Sequence, residues 1–139
     1  MQIKKEDLVG GVLIKTGRAC NMVTIGFNNA GKELWLHIQS FFRILLDDKL
    51  VAVSSDIYVD DKGKKTVNNK LFDKQISKSE SKILNSVVKK IISREKDLFL
   101  IFDNGLRIEI FHDTLEPKQE IYRIFESDNL DSHYVVENP

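Results

Sequence analysis

Leu98-Phe99-Leu100-Ile101-Phe102-Asp103-Asn104-Gly105-Leu106-Arg107-Ile108-Glu109-Ile110-Phe111 reads as two strands joined by a tight turn. Asn-Gly takes up the positive φ angles of a type I′ turn, whose twist matches that of paired strands. A two-residue turn at Asn104-Gly105 predicts that Phe102 faces Arg107, Ile101 faces Ile108, Leu100 faces Glu109 and Phe99 faces Ile110. One face then carries Phe99, Ile101, Leu106, Ile108 and Ile110 and reads as core. The other carries Leu98, Leu100, Phe102 and Phe111 with Arg107 and Glu109. A solvated sheet face alternates more cleanly than that, so part of this second face is expected to be covered.

Outward from the hairpin, the upstream flank carries helical signals. Ser77-Lys78-Ser79-Glu80 matches a capping box, and Ile83, Leu84, Val87, Val88 and Ile91 follow at helical spacing. The expectation is one amphipathic helix over about 77–92. Residues 60–75 read as a long polar loop. A second hairpin is expected at Asp47-Asp48, between a long strand from Leu34 to Leu46 and a strand over 49–55. Further strands are expected near Val9–Lys15, Met22–Phe27, Ile121–Phe125 and His133–Val136. Strands in hairpin runs with a single helix predict an α+β fold. Its sheet is mostly antiparallel, with strong curvature or a barrel-like form left open. No internal repeat, low-complexity tract or linker is evident, so residues 1–139 read as a single domain.

Composition narrows the class. Hydrophobic residues at 42% and charged residues at 30% are values of a globular chain. The lone Cys20 excludes an internal disulfide and is expected as a small buried hydrophobe. The first residues lack an apolar signal core, and no apolar run nears the roughly 18 residues that span a bilayer. A soluble, cytoplasmic protein without membrane contact is the expectation. The zero net charge hides three blocks. Residues 1–61 carry 7 basic and 8 acidic side chains, 62–96 carry 11 and 3, and 97–139 carry 3 and 10.

Metal-ligand spacings, phosphate-binding glycine loops, dinucleotide fingerprints and nucleophile elbows are absent, so no cofactor, metal or catalytic residue is assigned. The segment Trp35 to Ile44 offers the densest set of functional groups. Alternation puts Leu36, Ile38, Phe42 and Ile44 on one face and Trp35, His37, Gln39, Phe41 and Arg43 on the other. With a two-residue turn at Asp47-Asp48, Asp56 opposes Gln39 and Tyr58 opposes His37. Aromatics beside arginine, histidine and carboxylate suit a partner anchor, a buried hydrogen-bonded network, or a small acid–base site at His37, Arg43 and Asp56. The lysines of 62–96 (Lys62, Lys64, Lys65, Lys70, Lys74, Lys78, Lys82, Lys89 and Lys90) suit phosphate contacts, which leaves a nucleic-acid-binding module as an alternative.

Leu36-His37-Ile38-Gln39, then Phe42-Arg43-Ile44, then Val53-Ser54-Ser55-Asp56-Ile57-Tyr58 is similar to a pattern in small uncharacterised bacterial proteins. The resemblance extends to Leu8-Val9-Gly10, Arg18, Asp97-Leu98, Asn104-Gly105, Glu109-Ile110-Phe111, Tyr122-Arg123-Ile124 and His133-Tyr134-Val135-Val136. Phe42 and Tyr122 stand where those proteins often carry tryptophan. They include candidates for immunity proteins of contact-dependent or polymorphic toxin systems. The resemblance implies a cytoplasmic, non-catalytic binder that blocks a toxin domain by occlusion, and it brings no catalytic residue with it. A basic toxin would meet the acidic carboxyl-terminal stretch, with Asp113, Glu116, Glu120, Glu126, Asp128 and Asp131 as contacts. Oligomeric state is left open.

Overall fold

A computed structural model describes residues 2–66 and 69–139. The strands are β1 (Val12–Ala19), β2 (Met22–Asn29), β3 (Lys32–Ile38), β4 (Phe42–Leu46), β5 (Lys49–Val53), β6 (Val88–Arg94), β7 (Asp97–Phe102), β8 (Leu106–Ile110), β9 (Glu120–Glu126) and β10 (Asn129–Glu137). One α-helix, α1 (Leu71–Ile83), and two 3₁₀ turns, Lys5–Leu8 and Ser54–Tyr58, complete the elements among the described residues. The fold is α+β and dominated by antiparallel sheet. The first sheet has the order β1-β2-β3-β9-β10 and the second β5-β4-β8-β7-β6. Neither closes into a barrel. Their inner faces share one core, in which Val23, Ile25, Phe27, Leu34, Leu36 and Ile38 of the first sheet meet Phe42, Ile44, Leu98, Leu100, Phe102, Leu106, Ile108 and Ile110 of the second.

The chain builds this sandwich twice over. Each half is a three-stranded meander followed by a hairpin: β1–β3 with β4–β5, then β6–β8 with β9–β10. Each hairpin joins the other half's meander, through β3–β9 in one sheet and β8–β4 in the other. The two seams share one register, with His37 opposite Arg123 in the first and Glu109 opposite Arg43 in the second. Residues 8–29 map onto 83–104 at a constant spacing of 75, down to a register shift at Leu13/Lys15 that recurs at Val88/Lys90.

An approximate two-fold axis relates the halves and runs through the Val12–Val87 bridge. Hydrogen bonds are exchanged symmetrically around it. The Leu13 amide donates to the Ser86 carbonyl at 2.8 Å, and the Val88 amide donates to Gly11 at 2.9 Å. The Gly10 amide donates to Val88 and the Asn85 amide to Leu13, both at 2.8 Å. Gly10 and Asn85 both have positive φ, +89° and +70°. Asn29 donates through its side chain to the Asp7 and Val9 carbonyls, while its counterpart Asn104 reaches the Lys82 carbonyl and the Ser86 hydroxyl. The sequence showed no repeat because only Val12/Val87, Lys15/Lys90, Phe27/Phe102 and Asn29/Asn104 are identical over these aligned stretches.

The helix lies upstream of the expected 77–92. It begins at Leu71, whose amide donates to the Val59 carbonyl at 3.0 Å, and it buries Phe72, Ile76 and Ile83. Ser79 interrupts that stripe, which is why its period was hidden. The capping-box residues Ser77 and Glu80 therefore fall inside the helix. Leu84 turns extended, and Val88 and Ile91 belong to β6, with Val88 in the core. The loop expected over 60–75 therefore ends at Lys70, with 67–68 outside the described residues. The helix packs against β5, β1 and the Ser54–Tyr58 turn, with Phe72 edge-on to Phe42 at 5.7 Å. Arg18 of β1 grips Asp73 at 2.6 Å through Nε and 2.8 Å through Nη2.

The Asn-Gly hairpin has a three-residue loop, not two. Leu98 pairs with Ile110 and Leu100 with Ile108, so Leu98, Leu100, Phe102, Leu106, Ile108 and Ile110 form the buried face. Within the loop only Gly105 has positive φ, +86°, as expected of a type I turn closed by a glycine bulge. Asp47 and Asp48 do form a two-residue turn, both with positive φ. The long strand through 34–46 is two strands. The chain leaves the first sheet after Ile38 and enters the second at Phe42. Cys20 is exposed in the β1–β2 turn instead of buried.

Candidate functional site

The outer face of the first sheet gathers the richest cluster of polar side chains. Alternation on β3 turns Leu34, Leu36 and Ile38 inward and leaves Trp35 and His37 outward. His37 pairs with Arg123 and Trp35 with Phe125 on β9, and Phe125 pairs with His133 on β10. Trp35 lies across Gly26, where a Cβ would stand 3.0 Å from the indole, so this position needs glycine. The indole Nε1 donates to Glu33 and to the Ser127 hydroxyl, each at 2.8 Å.

Arg123 organises the centre. Its Nε and Nη2 donate to Glu120 Oε1 at 3.0 and 2.5 Å, and Nη1 donates to His133 Nδ1 at 2.8 Å. An arginine has no acceptor, so His133 accepts at Nδ1 and carries its ring proton on Nε2. Gln39 Nε2 donates to the other Glu120 oxygen. Phe125 lies between the two histidines, edge-on to His37 and stacked on His133, both at 4.8 Å. With Met22 these residues line an open depression of about 480 Å³. Burial is the largest cause that lowers the His37 pKa, and the Arg123 charge adds to it. Glu120 opposes these effects in part, and His133 lowers the pKa slightly further. His37 thus takes up a proton less readily than a free imidazole, and neither ring nitrogen is hydrogen-bonded among the described residues.

The structure divides the residues expected on one face. His37 and Gln39 come together in the depression, Trp35 shares their sheet face beside it, and Glu120, expected as one of the acidic contacts, joins them. Arg43 lies on the outer face of the second sheet, bound to Glu109 and 5.8 Å above the Phe111 ring. Asp56 and Tyr58 sit in the Ser54–Tyr58 turn and oppose neither Gln39 nor His37. Two things break the expected pairing: the change of sheet at Gln39–Phe41, and a bulge that sets Ile44 opposite Ala52 but Leu45 opposite Leu50. The His37, Arg43 and Asp56 constellation therefore has no common pocket.

The acidic residues are also dispersed. Asp113 is exposed and accepts from the Phe41 amide at 2.9 Å. Glu116 is exposed before β9, Asp128 sits in the β9–β10 turn, and Asp131 is exposed on β10. Glu126 lines a separate depression of about 320 Å³ with Glu6 and Asp7. Sequence reasoning missed Met22, Arg123, Phe125 and His133. Alternation along β9 exposes Arg123 and Phe125, but only the β3–β9 seam brings them beside His37.

The nine lysines of the basic segment are exposed on the loop before α1, on α1 and on β6, and every ion pair among the described residues uses arginine instead. Phe72, the one aromatic of 62–96, is buried, so this surface offers no ring for base stacking. Among the described residues no three histidine, cysteine, aspartate or glutamate side chains are grouped to hold a metal ion, and no helix is long and apolar enough to cross a membrane. Comparison with protein-family models, curated proteins and solved structures gave no match.

Proposed function

We propose that the protein is a non-catalytic binder, an immunity protein that works in the cytoplasm and neutralises a toxin domain by occlusion. The observation that carries this reading is the outer face of the first sheet. Arg123 is clamped by Glu120 and His133 beside Phe125, in a depression that is open and shallow. Groups locked by their neighbours lose little entropy on docking, and an arginine beside an aromatic makes a strong anchor for a protein surface. An acid–base enzyme would need an enclosed pocket with a base aimed at a reacting atom.

The resemblance carried by Leu36-His37-Ile38-Gln39 and Tyr122-Arg123-Ile124 supports the same reading. So does the charge of the β9–β10 hairpin, where Glu120, Glu126, Asp128, Asp131 and Glu137 outnumber Arg123. Such a surface speeds encounter with a basic partner, such as a nuclease domain.

The test is co-expression with the carboxyl-terminal domain of each large secreted protein encoded beside this chain. One of them should co-purify and lose its toxicity, and Arg123→Ala or Phe125→Ala should loosen the complex at least tenfold without unfolding the protein. If none forms a complex or is neutralised, the reading fails.

A further inference from the structure

A free strand edge is a row of unpaired amides and carbonyls, and sheets cover it or guard it with charge, lysine above all. The two sheets end in four edge strands, β1, β10, β5 and β6. Helix α1 packs on β5 and on β1, where Arg18 holds Asp73 and the Val12–Val87 bridge closes the other end. β6 carries Lys89, Lys90 and Arg94, and its Val88 is already bonded to Gly10 and Gly11. β10 differs. Ser132-His133-Tyr134-Val135-Val136 holds no lysine, arginine or carboxylate, and Val135 is 36% exposed. Ile3 meets this strand through the Ser132 hydroxyl, and among the described residues no element beyond β9 pairs with its backbone.

Two hydrogen bonds fix which way the backbone groups point. The Gln39 amide donates to the Ile121 carbonyl at 3.0 Å, so Ile121, Arg123 and Phe125 turn their backbone groups to β3. Tyr122 and Ile124 turn theirs to β10, where they face Val136 and Tyr134. At the strand's end the Asn138 amide donates to the Gln119 carbonyl at 2.9 Å, which keeps the same phase. His133, Val135 and Glu137 are left with amide and carbonyl pointing away from the sheet.

We infer that this edge takes an extended segment of a protein partner as a sixth strand of the first sheet, and that the segment carries basic residues on either side of a short apolar stretch. Strand addition draws affinity from main-chain bonds and specificity from side chains at alternate positions. Charge sets the occupant. The hairpin from Glu120 to Glu137 holds five carboxylates against one arginine, and Asp131 and Glu137 flank the uncharged run. A second copy of the chain would bring the same negative charge to the edge, whereas a basic segment neutralises it. An added strand lies about 4.8 Å beyond β10. The side chains on one of its faces then stand beside His133, on the rim of the first-sheet depression. The inference rests on the reading of the protein as a binder of a basic partner and adds how the two chains join.

The probe is a capped peptide, Lys-Thr-Val-Thr-Val-Thr-Lys, with a counterpart that has glutamate in place of both lysines. At saturation of the isotope-labelled whole chain, the lysine peptide should slow amide exchange at His133, Val135 and Glu137 at least tenfold. Tyr134 and Val136, already bonded to β9, should exchange as before. The glutamate peptide should bind at least tenfold more weakly, and Asp131→Lys combined with Glu137→Lys should reverse the preference. Val135→Pro removes an N–H that serves no bond within the sheet, so this variant should stay folded by circular dichroism and lose the peptide. No binding, equal binding of the two peptides, or binding that survives Val135→Pro overturns the inference. So does the same protection appearing with rising protein concentration alone, which would make the occupant a second copy. The two readings fail separately. A toxin domain still neutralised by the Val135→Pro protein overturns strand addition and leaves occlusion standing. A barren co-expression screen beside intact peptide pairing removes the toxin and upholds the edge.

Discussion

Phe27 and Phe102 stack with ring centroids 6.4 Å apart and planes 18° from parallel, and they are the same position in the two halves of the chain. The two-fold axis passes between them. Phe27 is fully buried and Phe102 nearly so, and together they join the inner faces of the two sheets. The core is therefore stitched at its centre by one residue and its own counterpart.

Replacing either ring with alanine should cost about 3–5 kcal/mol, the usual range for a buried phenylalanine. The double variant should cost less than the two singles combined, by about 0.5–1.5 kcal/mol, because each single already breaks the shared stack. Urea unfolding of the four proteins measures this. Strict additivity would show that the rings contribute only as separate apolar bodies.

Exchange of hairpins between the halves makes a second prediction. Residues 1–61 and 62–139, made as separate chains, should each lack stable monomeric structure. Alone, each would expose the inner face of its meander and the unpaired strand edges at β3 and β4, or at β8 and β9. Mixed or co-expressed, they should co-purify with the far-ultraviolet circular dichroism of the intact protein. The cut lies in an exposed polar loop, so it removes no core contact. A half that folds alone as a stable monomer would contradict the exchanged architecture.

The strand class was legible because period-two alternation survives in β2, β3 and β9, whose inward residues are consistently apolar. The helix was misplaced because two local signals pointed wrongly together. Ser77 to Glu80 matched a cap that the tertiary fold ignores, and Val87, Val88 and Ile91 fell at helical spacing while belonging to a bulged strand. The hairpin register slipped because Asn104 holds the Lys82 carbonyl and the Ser86 hydroxyl, leaving positive φ to Gly105 alone. The site was half legible. His37 and Gln39 could be picked out by residue type, but their neighbours Glu120, Arg123, Phe125 and His133 lie more than eighty positions away and arrive only through the β3–β9 seam. Arg43 separated from them because a change of sheet leaves no mark in an alternation pattern that stays in phase.

Glu109 tests how the second sheet tolerates a carboxylate at the seam position that His37 occupies in the first. It is 7% exposed and accepts from Arg43 and Arg107, which are themselves partly exposed. Glu109→Gln keeps the shape but halves the acceptor capacity and removes the charge. It should cost about 1–2 kcal/mol, below the range for fully buried pairs because solvent screens both arginines. Chemical denaturation at low and high salt measures this. The loss should shrink as salt rises, and a salt-independent loss would place the effect in packing.

His37 makes the fold's stability depend on pH in a direction that follows from its surroundings. Burial and the Arg123 charge lower its pKa below the ordinary 6.5, so the folded protein binds its proton less readily than the unfolded chain does. The stabilisation that this gives is fully present above the unfolded value near 6.5 and is lost as pH falls through the lower folded value. An imidazole titration followed by nuclear magnetic resonance should give a His37 midpoint under 6.5. Glu120→Gln removes the one neighbour that raises this pKa and should move the midpoint lower still. His37→Gln cannot ionise and should flatten the fall in melting temperature between about pH 7 and about pH 5. A midpoint at or above 6.5, or a His37→Gln variant with an unchanged pH profile, would show that the depression does not disfavour the protonated ring.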